Sequence, residues 1–285
     1  MIGPGADSRV ADRDERDLGS VEIDTSSAHP ARVYDYLLGG VDHFAVDREA
    51  AERGSAALPG GVERARAMVR AQRAFLASAV RHLAGDLGVR QFLDIGTGIP
   101  NGDNVHRIAQ HTAPGARVVY VDKDPVVLAH AHVLLRSTPQ GATDYLQADL
   151  RDPGTILAGA AATLDLAQPV GIVLVGVLHL IGDEDDPSGL VARLLKPVPA
   201  GSYLAISHLA SDGQPELAEA MRRVNETMSS PFILRSRAEV ARFLDGLELV
   251  GPGIVTLDGW HPPDTPPPTA DGLPVAAYGA VGRKP

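Results

Sequence analysis

The chain has 285 residues, of which 44% are hydrophobic and 22% are charged, enough apolar material for one sizeable core. It contains no cysteine, which excludes disulfides, thiolate metal sites and cysteine nucleophiles, and its formal net charge of −10 argues against broad binding of nucleic-acid phosphates. Because no apolar run approaches the roughly 20 residues of a membrane span and the N-terminus lacks the apolar core of a signal peptide, we expect a cytoplasmic protein.

Two segments precede the first predicted strand. Residues 1–28 are polar and charged without periodicity, which predicts a flexible tail. Residues 29–88 are predicted to form a helical N-terminal extension, because apolar residues recur at helical spacing, most clearly from Gly61 to about Gly85. Neither segment resembles the strand-and-helix alternation that follows.

The most informative stretch is FLDIGTGIP, in which an apolar strand ends in an acid and then enters a glycine turn. Such turns bind nucleotide-like ligands in open α/β sheets, because glycine lets the backbone approach a ligand closely. Asp94 lies two residues before Gly96, where it would repel a pyrophosphate, and the third glycine of the dinucleotide motif is replaced by Asn101. A ligand with an ammonium and a sulfonium, S-adenosylmethionine, fits this turn better.

Two further predicted strands also end in acids. Asp122 closes the strand that begins near Val118, where an acid can accept hydrogen bonds from both ribose hydroxyls. Asp149 follows the strand Thr143–Ala148 and is placed to accept a hydrogen bond from an adenine amino group. The alternative is that all three acids are ordinary helix caps or turn residues, but their recurrence at three successive strand ends favours a nucleoside site.

Residues 89–208 alternate strand and helix five times, with apolar runs such as Val170–Leu178 that are typical of strands buried on both faces. This pattern predicts an α/β fold with a doubly wound, mostly parallel seven-stranded sheet. Residues 209–235 interrupt it with a helical insertion, and a Pro-rich loop, residues 261–274, separates the last two strands. We therefore predict one domain over residues 89–285, whose last strand is antiparallel.

The motifs FLDIGTGIP, VVYVDKDPVVLAHA and YLQADLRDP resemble the first three motifs of class I S-adenosylmethionine-dependent methyltransferases. The sequence is most similar to a bacterial family of S-adenosyl methyltransferases whose substrate is not established. That resemblance also includes PARVYDYLLGGVDHF and LVGVLHLIGDEDDP, and it extends from His29 to the C-terminus. His43 is a departure, since the family pattern has Asn there.

This resemblance implies S-adenosylmethionine as cofactor, S-adenosylhomocysteine as product and a class I methyltransferase-like Rossmann fold. The residues expected to bind the cofactor lie in the glycine turn, after the next two strands and on the first helix: Asp94, Gly96, Thr97, Gly98, Asp122, Lys123, Asp149, Leu150, Arg32 and Tyr36. Arg32 and Tyr36 are included because positions i and i+4 share a helix face. Lys123 could lie against the adenine ring or be solvated.

Candidates for a general base are few. His179 and His208 follow the fourth and fifth predicted strands, near the edge where ligands bind, and imidazole titrates near neutral pH. The alternative for each is a partly buried histidine that is hydrogen-bonded to the backbone. The acidic run Asp183–Asp186 is interpreted as the start of a helix, whose first turn acids stabilise. The alternative is an acidic rim of the substrate site that favours a cationic acceptor. The histidines are not clustered with acids, so no metal site is assigned.

We expect a small-molecule acceptor that binds between the N-terminal helices, the 209–235 insertion and the loop that begins at Trp260, with no nucleic-acid or membrane partner. Two other functions remain open: a protein that binds S-adenosylmethionine without catalysis, and a nicotinamide-dependent oxidoreductase. The sequence does not indicate the acceptor, the methylated atom or the oligomeric state.

Overall fold

The computed structural model describes residues 25–100, 102, 104–125, 127, 131, 136–226, 232–263 and 275–285. Most of the predicted tail and of the Pro-rich loop therefore lies outside the described residues. Within the described residues none of the helices is both long and apolar enough to cross a membrane.

The described helices are α1 Pro30–Leu38, α2 Ala45–Ser55, α3 Gly61–Gly85, α4 Val105–Thr112, α5 Pro153–Ala160, α6 Pro187–Leu195, α7 Pro215–Glu226 and α8 Arg237–Ala241. The strands are β1 Gln91–Ile95, β2 Arg117–Asp122, β3 Ala142–Gln147, β4 Gly171–Leu174, β5 Tyr203–Leu209, β6 Glu248–Thr256 and β7 Ala277–Arg283. Short 3₁₀ helices occupy Leu178–Leu180, Asp183–Asp185, Arg242–Leu244 and Leu257–Gly259.

The described strands form a seven-stranded sheet in the order β3-β2-β1-β4-β5-β7-β6. All neighbouring pairs are parallel except those that involve β7, which runs antiparallel to both β5 and β6. The predicted doubly wound sheet with an antiparallel last strand is therefore confirmed. The strand order reverses between β1 and β4, which is the point where open α/β sheets bind ligands.

Each face of the sheet has its own apolar layer. Phe92 and Val118 point to the layer that contains α3, α4 and α7, whereas Leu93 and Val119 point to the layer that contains α5 and α6. Helices thus cover both faces, which explains why the central strands are uninterrupted apolar runs. The strand predicted from the apolar run Val170–Leu178 is shorter in the structure. β4 ends at Leu174, because Gly176 turns the chain with φ +80°.

The helix starts follow local signals. Asp152 and Asp186 accept hydrogen bonds from backbone N–H groups in the first turns of α5 and α6, each followed by proline at the first helical position. Ser236 and Glu239 form a capping box at the start of α8. The helix α7, which begins at Pro215, lies in the predicted helical insertion.

The helix α3 connects the sheet to the N-terminal extension. Its 25 residues span about 37 Å at 1.5 Å per residue, more than twice the length of the five-residue strand β1. Phe75 packs over Gly279 in the middle of β7, and Gln72 lies next to Gly176 beyond the end of β4. The N-terminal half of α3 therefore projects past the carboxyl edge of the sheet, where it packs against α1 and α2.

Candidate active site

The glycine turn after β1 forms the centre of the site. Gly96 and Gly98 have φ angles of +77° and +65°, in the left-handed region that favours glycine. A Cβ on Gly96 would lie 2.6 Å from the Cβ of Val177, so the turn packs tightly against the segment after β4. A Cβ on Gly98 would meet no atom within 4 Å, which leaves the backbone there open to a ligand.

This packing predicts that Gly96→Ala disrupts the site. The methyl group would require both a left-handed alanine, at a cost of about 1–2 kcal/mol, and displacement of Val177. We expect a lower melting temperature and weakened binding of S-adenosylhomocysteine, measured by thermal denaturation and calorimetry. Gly102→Ala is the matched control, because its Cβ would enter open space and its φ is not positive. Equal effects of the two substitutions would contradict this prediction.

Asp94 lies on the floor of the site and is 7% exposed. It is in register with Tyr120 on β2, which is in register with Tyr145 on β3, and the two tyrosine rings stack with centroids 5.1 Å apart. Burial raises the pKa of Asp94 to about 7, against the opposing effect of the Arg73 guanidinium. The carboxyl group is therefore poised to ionise when a cation, such as a ligand ammonium, comes close.

Asp122 lies at the end of β2, beside the glycine turn. Its Oδ2 accepts a hydrogen bond from the backbone N–H of Gly98 at 2.9 Å, and its Oδ1 accepts one from the N–H of Asp124 at 3.0 Å. Burial raises its pKa, and these two hydrogen bonds oppose that rise. The carboxylate is thus oriented beside the turn, where ribose hydroxyls would reach it.

The other residues predicted to contact the nucleoside follow β2 and β3. Asp149 accepts a hydrogen bond from the N–H of Arg151, and Leu150 is buried beside it. Arg151 also donates to Asp185, which connects this segment to the 3₁₀ helix Asp183–Asp185. Lys123 is exposed, and Thr97 donates its hydroxyl to the carbonyl of Asp94 rather than pointing away from the turn. All these residues lie near the carboxyl ends of β1–β3.

Arg32 and Tyr36 make contacts that do not favour the predicted cofactor role. Arg32 is buried and forms an ion pair with Asp47 at 3.0 Å. Tyr36 donates its hydroxyl to Glu52 at 2.8 Å, and its ring lies under the guanidinium of Arg66. Both side chains hold the N-terminal helices to one another. The sequence showed that they share a helix face but not that this face meets α2 and α3.

The N-terminal extension reaches the cofactor region through residues that the sequence did not indicate. Nδ1 of His29 lies 3.0 Å from Oδ2 of Asp124, in the loop after β2. Gln72 and Arg73 of α3 lie near the ends of β4 and β1, respectively. No local motif identifies these residues, because their positions depend on how α3 crosses the sheet edge.

His208 is completely buried, and both of its ring nitrogens are occupied: Nδ1 lies 2.9 Å from the carbonyl of Leu209, and Nε2 lies 2.8 Å from a guanidinium nitrogen of Arg235. Burial lowers its pKa to about 4. His179 is also buried, next to Phe232, and burial lowers its pKa to about 3. Both imidazoles are neutral and weakly basic at pH 7, so neither geometry favours the predicted role of general base.

Arg235 joins the insertion to the segment after β4. Its guanidinium donates to the carbonyls of Leu178 and Ile181 and to the carboxylate of Asp183. Three residues of the acidic run Asp183–Asp186 make contacts within the protein. Asp183 pairs with Arg235, Asp185 pairs with Arg151, and Asp186 caps α6. Among the described residues, no three His, Cys, Asp or Glu side chains are grouped so that they could hold a metal ion.

The strand order, the glycine turn and the acids at the carboxyl ends of β1–β3 together define a class I methyltransferase domain. The chain belongs to the S-adenosyl methyltransferase family, whose sequence model matches residues 16–285. It is thus an S-adenosylmethionine-dependent methyltransferase, and its cofactor is S-adenosylmethionine.

Solved structures agree with this assignment. A DUF574 family protein from Streptomyces avermitilis is 47% identical with a TM-score of 0.84, covering 92% of this chain and 99% of its own. A proposed methyltransferase from Thermobifida fusca is 36% identical with a TM-score of 0.80, covering 92% and 96%. The plantazolicin methyltransferase BpumL, at 13% identity and a TM-score of 0.50, shares the fold over 90% of this chain and 96% of its own. No curated protein matches this sequence significantly.

Proposed function

We propose that this enzyme transfers the methyl group of S-adenosylmethionine to a small-molecule acceptor that binds beneath a cap of helices. The cap consists of α1, α2, the N-terminal half of α3 and α7. The observation that supports it is the packing of α2 against α7, where Gly54 lies beside Val224 and the apolar side chains of α7 join Leu58 in one cluster. Two segments that are distant in sequence thus meet over the carboxyl edge of the sheet.

Residues of the glycine turn and the following strands would bind the cofactor under this proposal. Asp94 faces its ammonium, Asp122 its ribose hydroxyls, and Asp149 with Leu150 its adenine, while Gly98 lets the backbone approach. Bound there, the cofactor would supply a methyl group on a sulfonium. The neutral thioether that is released, S-adenosylhomocysteine, is a good leaving group. Because His179 and His208 are weak bases, catalysis would come from alignment of the acceptor with the methyl group rather than from proton removal by these residues.

His179 and Phe232 remain candidates for one wall of the acceptor site, since they lie where the segment after β4 meets the insertion. The predicted contribution of the Pro-rich loop concerns mainly residues outside the described part of the chain. Trp260, the residue just before that loop, is buried against Phe75 with ring centroids 5.2 Å apart. It therefore anchors the loop in the core. A cytoplasmic location stays a prediction.

The acceptor class can be tested with a methyl-labelled cofactor. A bacterial extract is separated by size into metabolites and macromolecules, and each fraction is incubated with the enzyme and the labelled cofactor. We expect label in the metabolite fraction, dependent on the enzyme and abolished by excess S-adenosylhomocysteine. Transfer confined to protein or nucleic acid would contradict a small-molecule acceptor.

Asp122→Ala tests the nucleoside site. Hydrogen bonds to a charged group contribute about 1.5–3 kcal/mol, so loss of the ribose contacts should weaken S-adenosylhomocysteine binding at least about tenfold, as measured by calorimetry. Asp245→Ala is the control, since Asp245 is an exposed turn residue just before β6, at the opposite edge of the sheet. A folded Asp122→Ala protein with the wild-type dissociation constant would refute the ribose role.

A further inference from the structure

Three arginines of α3 lie along one stripe of the helix, because Arg66, Arg70 and Arg73 are spaced at i, i+4 and i+7. Their surroundings differ. Arg66 pairs with Glu63 and lies over the ring of Tyr36. Arg70 is exposed and forms no ion pair with any residue that the structure describes. Arg73 is half-buried, in the part of the helix that crosses the carboxyl edge of the sheet.

Contacts on each side of Arg73 define its position. Tyr34 of α1 donates its hydroxyl to the carbonyl of Val69 at 3.4 Å, one helical turn before Arg73 and on the same face. Gln72, the preceding residue, lies beside Gly176 after β4. Burial raises the pKa of Asp94, Tyr120 and Tyr34, and the Arg73 guanidinium opposes that rise in all three, an effect that requires these groups to be near it. Arg73 thus lies where α1, α3, β1 and β2 converge.

The charges in this corner of the site are complementary to an amino acid. Asp94 supplies a buried carboxyl group, and Arg73 supplies a permanent cation nearby. The cofactor ends in an α-amino acid, whose ammonium matches Asp94 and whose carboxylate would otherwise enter a site containing the acids Asp94 and Asp122. A guanidinium is suited to bind a carboxylate through two parallel hydrogen bonds.

We propose that Arg73 binds the carboxylate of the cofactor's amino-acid end, opposite the ammonium held by Asp94. This inference rests on the proposed placement of the cofactor and adds a specificity-determining residue to it. Arg73 and Asp94 would together bind both charges of the zwitterionic amino-acid end. The enzyme would then distinguish the complete cofactor from adenosine thioethers that lack the amino acid.

A purely structural role for Arg73 makes a different prediction. If Arg73 only favoured the ionised form of Asp94, its removal would raise the pKa of that carboxyl further, and it would weaken binding of S-adenosylhomocysteine and its decarboxylated analogue equally, since both carry the ammonium. If Arg73 binds the ligand carboxylate, its removal weakens binding of S-adenosylhomocysteine more than binding of the analogue. The comparison of S-adenosylhomocysteine with its decarboxylated analogue therefore separates the two roles.

The test is calorimetry of the full chain with three ligands: S-adenosylhomocysteine, its decarboxylated analogue and 5′-methylthioadenosine, which lacks the amino acid. We expect Arg73→Ala to weaken S-adenosylhomocysteine binding at least about tenfold more than binding of its decarboxylated analogue, and to leave binding of 5′-methylthioadenosine within about twofold. Arg73→Lys should recover part of the loss. Arg70→Ala is the matched control and should leave all three affinities unchanged.

Unchanged binding of S-adenosylhomocysteine by Arg73→Ala, or an equal loss for S-adenosylhomocysteine and its decarboxylated analogue, would overturn the inference. If the variant does not fold, the wild-type protein decides, because equal affinities for S-adenosylhomocysteine and its decarboxylated analogue would exclude a carboxylate site. Wild-type protein that binds none of the three ligands would refute the proposed cofactor site as well, whereas binding without discrimination refutes only the role of Arg73.

Discussion

Replacing Arg235 with alanine is expected to lower the free energy of unfolding by about 3 kcal/mol or more. The buried guanidinium donates to the carbonyls of Leu178 and Ile181 and to Nε2 of His208. Each buried acceptor left without a donor costs about 1–3 kcal/mol. Chemical denaturation with a fluorescence or circular dichroism readout measures the difference.

The control for this prediction is Asp183→Ala, which removes the partner of Arg235 that is exposed to solvent, with 84% of its side-chain surface accessible. Because Arg235 keeps its hydrogen bonds to Leu178, Ile181 and His208 in this variant, Asp183→Ala should destabilise the protein less than Arg235→Ala does. Equal destabilisation by the two substitutions would mean that the ion pair, rather than the buried hydrogen bonds, holds the insertion in place.

Affinity for S-adenosylhomocysteine is expected to rise with pH, approaching tenfold per unit below pH 7. In the free protein burial raises the pKa of Asp94 to about 7, so the carboxyl group is largely protonated at pH 6. A bound ammonium favours the charged carboxylate and lowers this pKa. Binding then releases a proton and strengthens as pH rises, until Asp94 is already ionised in the free protein above pH 7. Calorimetry from pH 5.5 to 8 in two buffers measures both affinity and proton release.

Asp94→Asn and 5′-methylthioadenosine are the controls for this linkage. The amide does not titrate, and the truncated ligand has no ammonium, so both should give affinities that change little over this pH range. If wild-type binding of S-adenosylhomocysteine is equally independent of pH, Asp94 does not change its protonation on binding.

Elements that depend on neighbouring residues in sequence were predicted well. Glycines after an apolar strand indicated the turn at Gly96, because this signal acts within a few residues of chain. The Asp-Pro pairs and the Ser236 capping box mark helix starts equally locally. The alternation of strands and helices similarly predicted the parallel sheet. These features require no knowledge of which elements meet in space.

Features that depend on contacts between distant segments were not predictable in this way. Arg32 is buried because Asp47, on another helix, accepts its hydrogen bond, and His208 is enclosed by Arg235 from the insertion. A single sequence does not distinguish such a buried polar contact from a ligand contact, since both need a polar residue near the sheet edge. Arg73 is another residue that the sequence does not indicate. Nothing in the helical pattern of α3 shows that this helix passes over Asp94.

The continuity of α3 has a mechanical consequence. One unbroken helix forms part of the core through Phe75 and contacts α1 through Val69, so the N-terminal half of α3 cannot rotate over the sheet as a hinged domain would. If the acceptor binds beneath the cap as proposed, the movements that admit it and release product are expected within the other cap helices. The chain already bends there at glycines with positive φ, Gly39 after α1 and Gly60 before α3. Access to the site is therefore expected to depend on local displacement of α1 and α2 relative to α3, which stays fixed on the sheet.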